Sequence, residues 1–118
     1  MVKNNELGAL PKKDNVLYVD VDGTLLLWPG DDPGSVPRPG EPGHGQAPTI
    51  NTAVVMLINA RHSAGWQIIV WSNGGARHAE LAAKHAGVFN LCHACLAKPR
   101  AMVDNAWSWW DRIEKLDP

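Results

Sequence analysis

Three places in the chain hold polar residues of the kinds that move phosphoryl groups. Asp20 and Asp22 stand two apart in Asp20-Val21-Asp22-Gly23-Thr24, at the end of an apolar run. Carboxylates that close repel unless a cation or a proton separates them. A hard divalent ion resolves the repulsion, and Mg²⁺ takes one or two carboxylates with carbonyl, water and phosphate oxygens. Asp104, after the short apolar piece 101–103, is the third candidate for such a cluster. Ser72-Asn73-Gly74-Gly75 follows a second apolar run. The Ser72 hydroxyl and the free backbone N–H groups of Asn73 and Gly74 make an anion site, and the glycines let the backbone approach a phosphate. Lys98 lies shortly before Asp104, where an ammonium can hold a phosphoryl oxygen and neutralise the carboxylates. These parts describe phosphoryl transfer. One carboxylate attacks phosphorus, the second protonates the leaving oxygen and later activates water, and fixed donors hold the equatorial oxygens.

These residues can meet only if the right elements carry them. Val16 to Val21 reads as a buried strand, rich in β-branched and aromatic residues, ending in an Asp-Gly turn signal. Thr49 or Asn51 can cap a helix to about Ala64, with Ile50, Val54, Leu57, Ile58 and Arg61 at helical spacing and Gly65 as its stop. Trp66 to Trp71 reads as a second buried strand, and a helix from about Ala76 to Ala86 ends at Gly87. Val88 to Leu96 is ambiguous, with room for a short strand. Ala101 to Val103 is a third apolar piece, and Asn105 can cap a helix to about Leu116. Strands alternating with helices predict an α/β fold, a mostly parallel sheet with helices on both faces in three layers. Ligands of such sheets bind at the carboxyl ends of the strands, which is where the three polar groups fall.

Composition limits the alternatives. The chain has 118 residues, 45% hydrophobic and 19% charged, as expected of one globular domain over 1–118. Its net charge of −1 provides no global basic footprint for nucleic acid. The polar segment 1–15 lacks an apolar core of the signal-peptide kind, and no apolar run approaches the ~20 residues of a membrane span. The expectation is a cytoplasmic protein without a membrane partner. Residues 29–48 hold six Pro and five Gly, so this stretch can be neither a helix nor an inner strand.

Asp20 to Leu25, DVDGTL, resembles motif I of the haloacid dehalogenase (HAD) superfamily, DxDGT. Ser72 after its strand resembles motif II, Lys98-Pro99 motif III and Asp104 motif IV, all in the family's order. The resemblance implies a Rossmann-like, HAD-like core. It also implies a Mg²⁺-dependent phosphatase that works through an aspartyl-phosphate on a phosphomonoester, more readily a small molecule than a nucleic-acid end. Asp20 would be the nucleophile and Asp22 the general acid/base with its carbonyl on Mg²⁺. Thr24 would support the turn, Ser72 and Lys98 would hold the phosphoryl group, and Asp104 would be a carboxylate ligand of the metal. The family's second motif IV acid is missing, since Asn105 and Ser108 occupy its two usual places. The family's cap is inserted either after motif I or between motifs II and III. The 29–48 loop occupies the first position and is too short and too poor in apolar residues to fold as a cap, so a capless form is expected. Two other functions stay open: a phosphate-binding or interaction module on the same fold that does not turn over, and a polynucleotide-end phosphatase.

The remaining candidates have plainer readings. Cys92 and Cys95 could be half of a zinc site with His93 or His85, or a redox pair, but two small, partly buried residues are the expectation. Arg77 and Arg100 flank motifs II and III and could select a second anionic group. Helical spacing puts Trp107 and Trp110 on one face and Trp109 elsewhere, with at least two of the three in the core. One exposed Trp could mark a contact in a homo-oligomer.

Overall fold

The structure is a computed structural model and describes residues 14–118, so most of the polar 1–15 segment lies outside the described residues. The main sheet has three parallel strands in the order β1 (Val16–Asp20), β4 (Gln67–Ser72), β5 (Cys92–Ala97). Helix α1 (Thr52–Ser63) links β1 to β4, and α2 (Ala76–His85) links β4 to β5. The register pairs Val16 with Gln67 and Asp20 with Trp71, so Asp20 and Ser72 end up at the same edge of the sheet. The middle strand, β4, is the most deeply buried, with Ile68, Ile69, Val70 and Ser72 all covered. An unbroken β-branched run is what a strand paired on both sides requires.

Side chains alternate across a strand, and here the two faces differ. Val19, Ile68 and Val70 pack into one core with Val54 and Ile58 of α1 and Ala79, Ala82 and Ala83 of α2. Both α-helices therefore cover the same face. Right-handed crossovers that step in one direction along the sheet lead to this arrangement. The small residues of α2 let it lie close to β4. On the opposite face are Tyr18, Trp71 and Leu96, with Tyr18 and Leu96 exposed. Among the described residues no α-helix covers that face, so the predicted helices on both faces reduce to one helical layer.

The C-terminal region departs most from expectation. Residues 101–106 form no strand, and the predicted helix from Asn105 is instead a short 3₁₀ stretch, Trp107–Arg112. The apolar piece 101–103 is exposed and pairs with nothing, so its short β-prone sequence has no ladder to join. Three Trp and one Ser in four residues (107–110) are weak helix formers. Trp107 and Trp110 are 55% and 52% exposed rather than in the core.

Two short antiparallel strands, β2 (Leu26–Leu27) and β3 (Thr49–Ile50), pinch the neck of the Pro/Gly loop. Inside the neck the loop is held by turns, including Trp28 N–H to Pro33 O at 2.9 Å and Gly34 N–H to the Asp32 carboxylate at 2.9 Å. Close backbone approaches fix its shape. A Cβ at Gly43 would lie 2.8 Å from the carbonyl carbon of Pro29. Gly23 sits at φ +83°, and a Cβ there would stand 2.8 Å from Gly34 Cα. The Gly of DVDGT is thus needed both for its turn and for the seating of the loop on that turn.

Candidate functional site

The turn after β1 is tightly bonded. Thr24 N–H and Leu26 N–H both reach the Val21 carbonyl, Leu25 N–H reaches Asp20 O, and Gly23 N–H reaches Leu26 O. Val21 and Leu25 are fully buried beneath it, so the turn is anchored by its apolar members while the polar ones face outward. The Asp22 carbonyl takes no part in these bonds.

Asp20 lies at the end of β1 between two partners. Lys98 Nζ is 3.0 Å from its Oδ1, and Thr24 Oγ1 donates to its Oδ2 at 3.2 Å. Lys98 is delivered by β5, and its own N–H bonds the Ser72 carbonyl at 2.9 Å, which ties the residue after β5 to the end of β4. The Asp20 side chain remains 36% exposed, open enough for an incoming group to reach it.

Ser72 is 1% exposed, the one buried polar residue among those described. Its Oγ accepts the Gly74 N–H at 2.9 Å. That N–H is therefore occupied and is not a free phosphate donor, which corrects the role expected for Gly74. With its lone pair engaged in this way, the Ser72 hydroxyl proton is left to point elsewhere. Asn73 occupies the tip of the turn, exposed, with its backbone N–H ahead of α2.

The partners of Asp22 are not foreseen in the sequence. Trp28 Nε1–H donates to its Oδ1 at 2.8 Å, and His78 Nε2 lies 3.1 and 3.2 Å from its two oxygens. The first comes from the root of the Pro/Gly loop, the second from the first turn of α2. Position was the available signal: Trp28 follows Asp22 by six residues, and the first turn of a helix after a strand faces that strand's carboxyl end. The His78 ring also packs on Gly74, where a Cβ would come within 3.1 Å of it.

Asp104 does not join this group. Its carboxylate turns back to accept the Ala106 N–H at 2.9 Å in an exposed bend. Among the described residues no set of three or more His, Cys, Asp or Glu gathers as a metal cage. Asp104 fails as the third ligand because 101–103 forms no strand beside β1 to carry it there. The hard oxygens that remain are the Asp20 carboxylate and the Asp22 carbonyl. They fit Mg²⁺, which completes its shell with water and phosphate oxygens.

Cys92 and Cys95 lie on β5, both partly buried and unbridged. Burial pushes the Cys92 thiol up to about 12, with Cys95 beside it adding to the effect. Burial raises Cys95 as well. Both thiols are held in the protonated form at neutral pH, which makes them poor nucleophiles. Arg77 is exposed and pairs with Glu80 at 3.4 Å. No helix among the described residues is long and apolar enough to cross a membrane.

Asp20, Thr24, Ser72 and Lys98 thus come together at the carboxyl edge of a parallel sheet, Asp22 is held beside them by Trp28 and His78, and Asp104 stands apart. Comparison of the chain with protein-family models, curated proteins and solved structures gives no match.

Proposed function

We propose that the chain is a phosphomonoester hydrolase of the haloacid dehalogenase type, built on a Rossmann-like core and working through a phosphorylated Asp20. The observation that carries this reading is the 3.0 Å contact of Lys98 with Asp20. It joins residues 78 positions apart that match motifs I and III. In the reaction an Asp20 oxygen attacks phosphorus and the ester P–O bond breaks. The leaving oxygen takes a proton from the Asp22 carboxyl. A water then attacks the aspartyl-phosphate, Asp22 takes back a proton, and inorganic phosphate leaves with Asp20 restored. Lys98, the Ser72 hydroxyl and the Asn73 N–H hold the phosphoryl oxygens as charge builds on them. Trp28 and His78 position the Asp22 carboxyl. Mg²⁺, held by the Asp20 carboxylate and the Asp22 carbonyl, would supply charge screening between nucleophile and phosphate.

The experiment is phosphate release from aryl and alkyl phosphomonoesters with and without Mg²⁺. Metal-dependent turnover that disappears in Asp20→Asn is the expected result. Turnover at the wild-type rate in that variant would rule the mechanism out.

The isolation of Asp104 favours a second reading, a phosphate-binding module of the same fold without turnover. It predicts stabilisation by inorganic phosphate and no release from any phosphomonoester.

A further inference from the structure

We propose that the open face of the sheet beside Lys98 is a nucleobase-binding cleft, so that the phosphomonoester taken by this site is a nucleotide. The role given to Asp20 rests on the phosphatase reading; the cleft itself does not.

A cleft of about 1020 Å³ lies on the face that α1 and α2 leave uncovered, walled by Tyr18, Trp71, Trp107, Trp109 and Trp110, with Lys98 at its side. A smaller recess of about 350 Å³ shares Tyr18, Trp71, Trp109, Trp110 and Lys98 and adds Asp20. The aromatic walls and the nucleophile thus open onto neighbouring spaces that have Lys98 in common. Its ammonium is 3.0 Å from Asp20 and 5.8 Å from the centre of the Trp71 ring. A phosphate held by Lys98 therefore lies next to a wall of π faces.

The chemistry of the wall narrows the ligand. Trp71 and Tyr18 form a tilted pair with ring centres 4.6 Å apart. Flat aromatic ligands stack on such surfaces with little regard to their sequence of ring atoms. A purely apolar group has nothing to offer the Lys98 ammonium, and a sugar phosphate lacks a ring to stack. A nucleotide has both, a flat aromatic base with a phosphate attached at short range. A space of this size suits a whole small ligand better than an isolated phosphate. A free nucleotide and the phosphorylated end of a strand offer the same base and phosphate.

Binding is read by tryptophan fluorescence on the full chain carrying Asp20→Asn, which keeps substrates intact. The probes are adenosine 5′-monophosphate, a 5′-phosphorylated hexanucleotide and ribose 5-phosphate. The mononucleotide should bind at least about tenfold more tightly than ribose 5-phosphate. Trp71→Leu should erase that preference and leave ribose 5-phosphate binding as it was. Equal affinity for the mononucleotide and ribose 5-phosphate overturns the cleft, as does a preference that survives Trp71→Leu. A hexanucleotide that binds more tightly than the mononucleotide assigns the base and phosphate to a strand end; equal binding assigns them to the free nucleotide. Phosphate release by the unsubstituted chain separates the two proposals. Nucleotide bound but never hydrolysed overturns the phosphatase and keeps the cleft, whereas ribose 5-phosphate and mononucleotide hydrolysed with equal kcat/KM keep the phosphatase and overturn the cleft.

Discussion

On one face of the sheet Val19, Ile68 and Val70 are sealed beneath α1 and α2, while on the other Tyr18 and Leu96 remain exposed beside a partly covered Trp71. The same three strands build both faces, and only the alternation of side chains separates them. The sealed face holds the fold together through apolar burial. The open face and the strand ends above it carry Asp20, Lys98 and the aromatic walls. Under the proposed function, stability and chemistry are divided between two sides of one sheet, and substitutions on each side should read out differently.

The strongest way to break this division is a cavity on the sealed face. Ile68 is fully buried, so Ile68→Ala should cost about 2–5 kcal/mol in a denaturant titration. Trp71→Ala, on the open face of the same strand, should cost about 1 kcal/mol. Equal losses would mean that both faces are core. Next in size is Lys98→Ala, which should lower kcat/KM for a phosphomonoester about 100-fold or more while moving the unfolding midpoint little.

Trp28→Phe keeps the ring of the loop residue and removes its hydrogen bond to Asp22. It should slow kcat about tenfold with KM nearly unchanged, and more for poor leaving groups, which need the Asp22 proton, than for good ones. A uniform slowing across leaving groups would make Trp28 a packing residue only.

Much of this frame is legible in the sequence. β1, α1, β4 and α2 fall within one or two residues of where periodicity and the glycine punctuation put them, because each is specified by its own local pattern. The Asp20, Thr24, Ser72 and Lys98 group is legible too, since strand ends in a parallel sheet converge. What escapes the sequence depends on distant partners. β5 is clear only once β4 offers it a ladder from Ile68 to Ser72. The 101–103 piece looks like a strand locally but has no neighbour, so Asp104 is left outside the site. Trp28 and His78 reach Asp22 only because the loop folds back at its neck and α2 starts above β4.

Two smaller effects test the surroundings. Cys92 is raised in the folded chain from an ordinary 9.0 to about 12. A raised group adds stability that is intact below the unfolded value and is lost as pH climbs through the folded one. Stability should therefore fall between pH 9 and about 12, and Cys92→Ala should flatten that fall. Asp32, in the Pro/Gly loop, is held below its ordinary 3.8 by the Gly34 N–H and the Ser35 hydroxyl. A lowered carboxylate contributes above the unfolded value and is lost as pH drops through the folded one, so the loop should loosen only below about pH 4. Trp28 emission followed against pH, with the other five Trp replaced by Phe, measures that loosening.

The most direct test of the division between the faces is the chemistry of Asp20. The full chain, mixed with an aryl phosphate and Mg²⁺ and quenched within one turnover, should carry one phosphoryl group on the peptide containing Asp20. Asp20→Asn should carry none and release no phosphate. Phosphate released by Asp20→Asn at the wild-type rate, or turnover by the unsubstituted chain with no phosphoryl group on that peptide at any time, would contradict it.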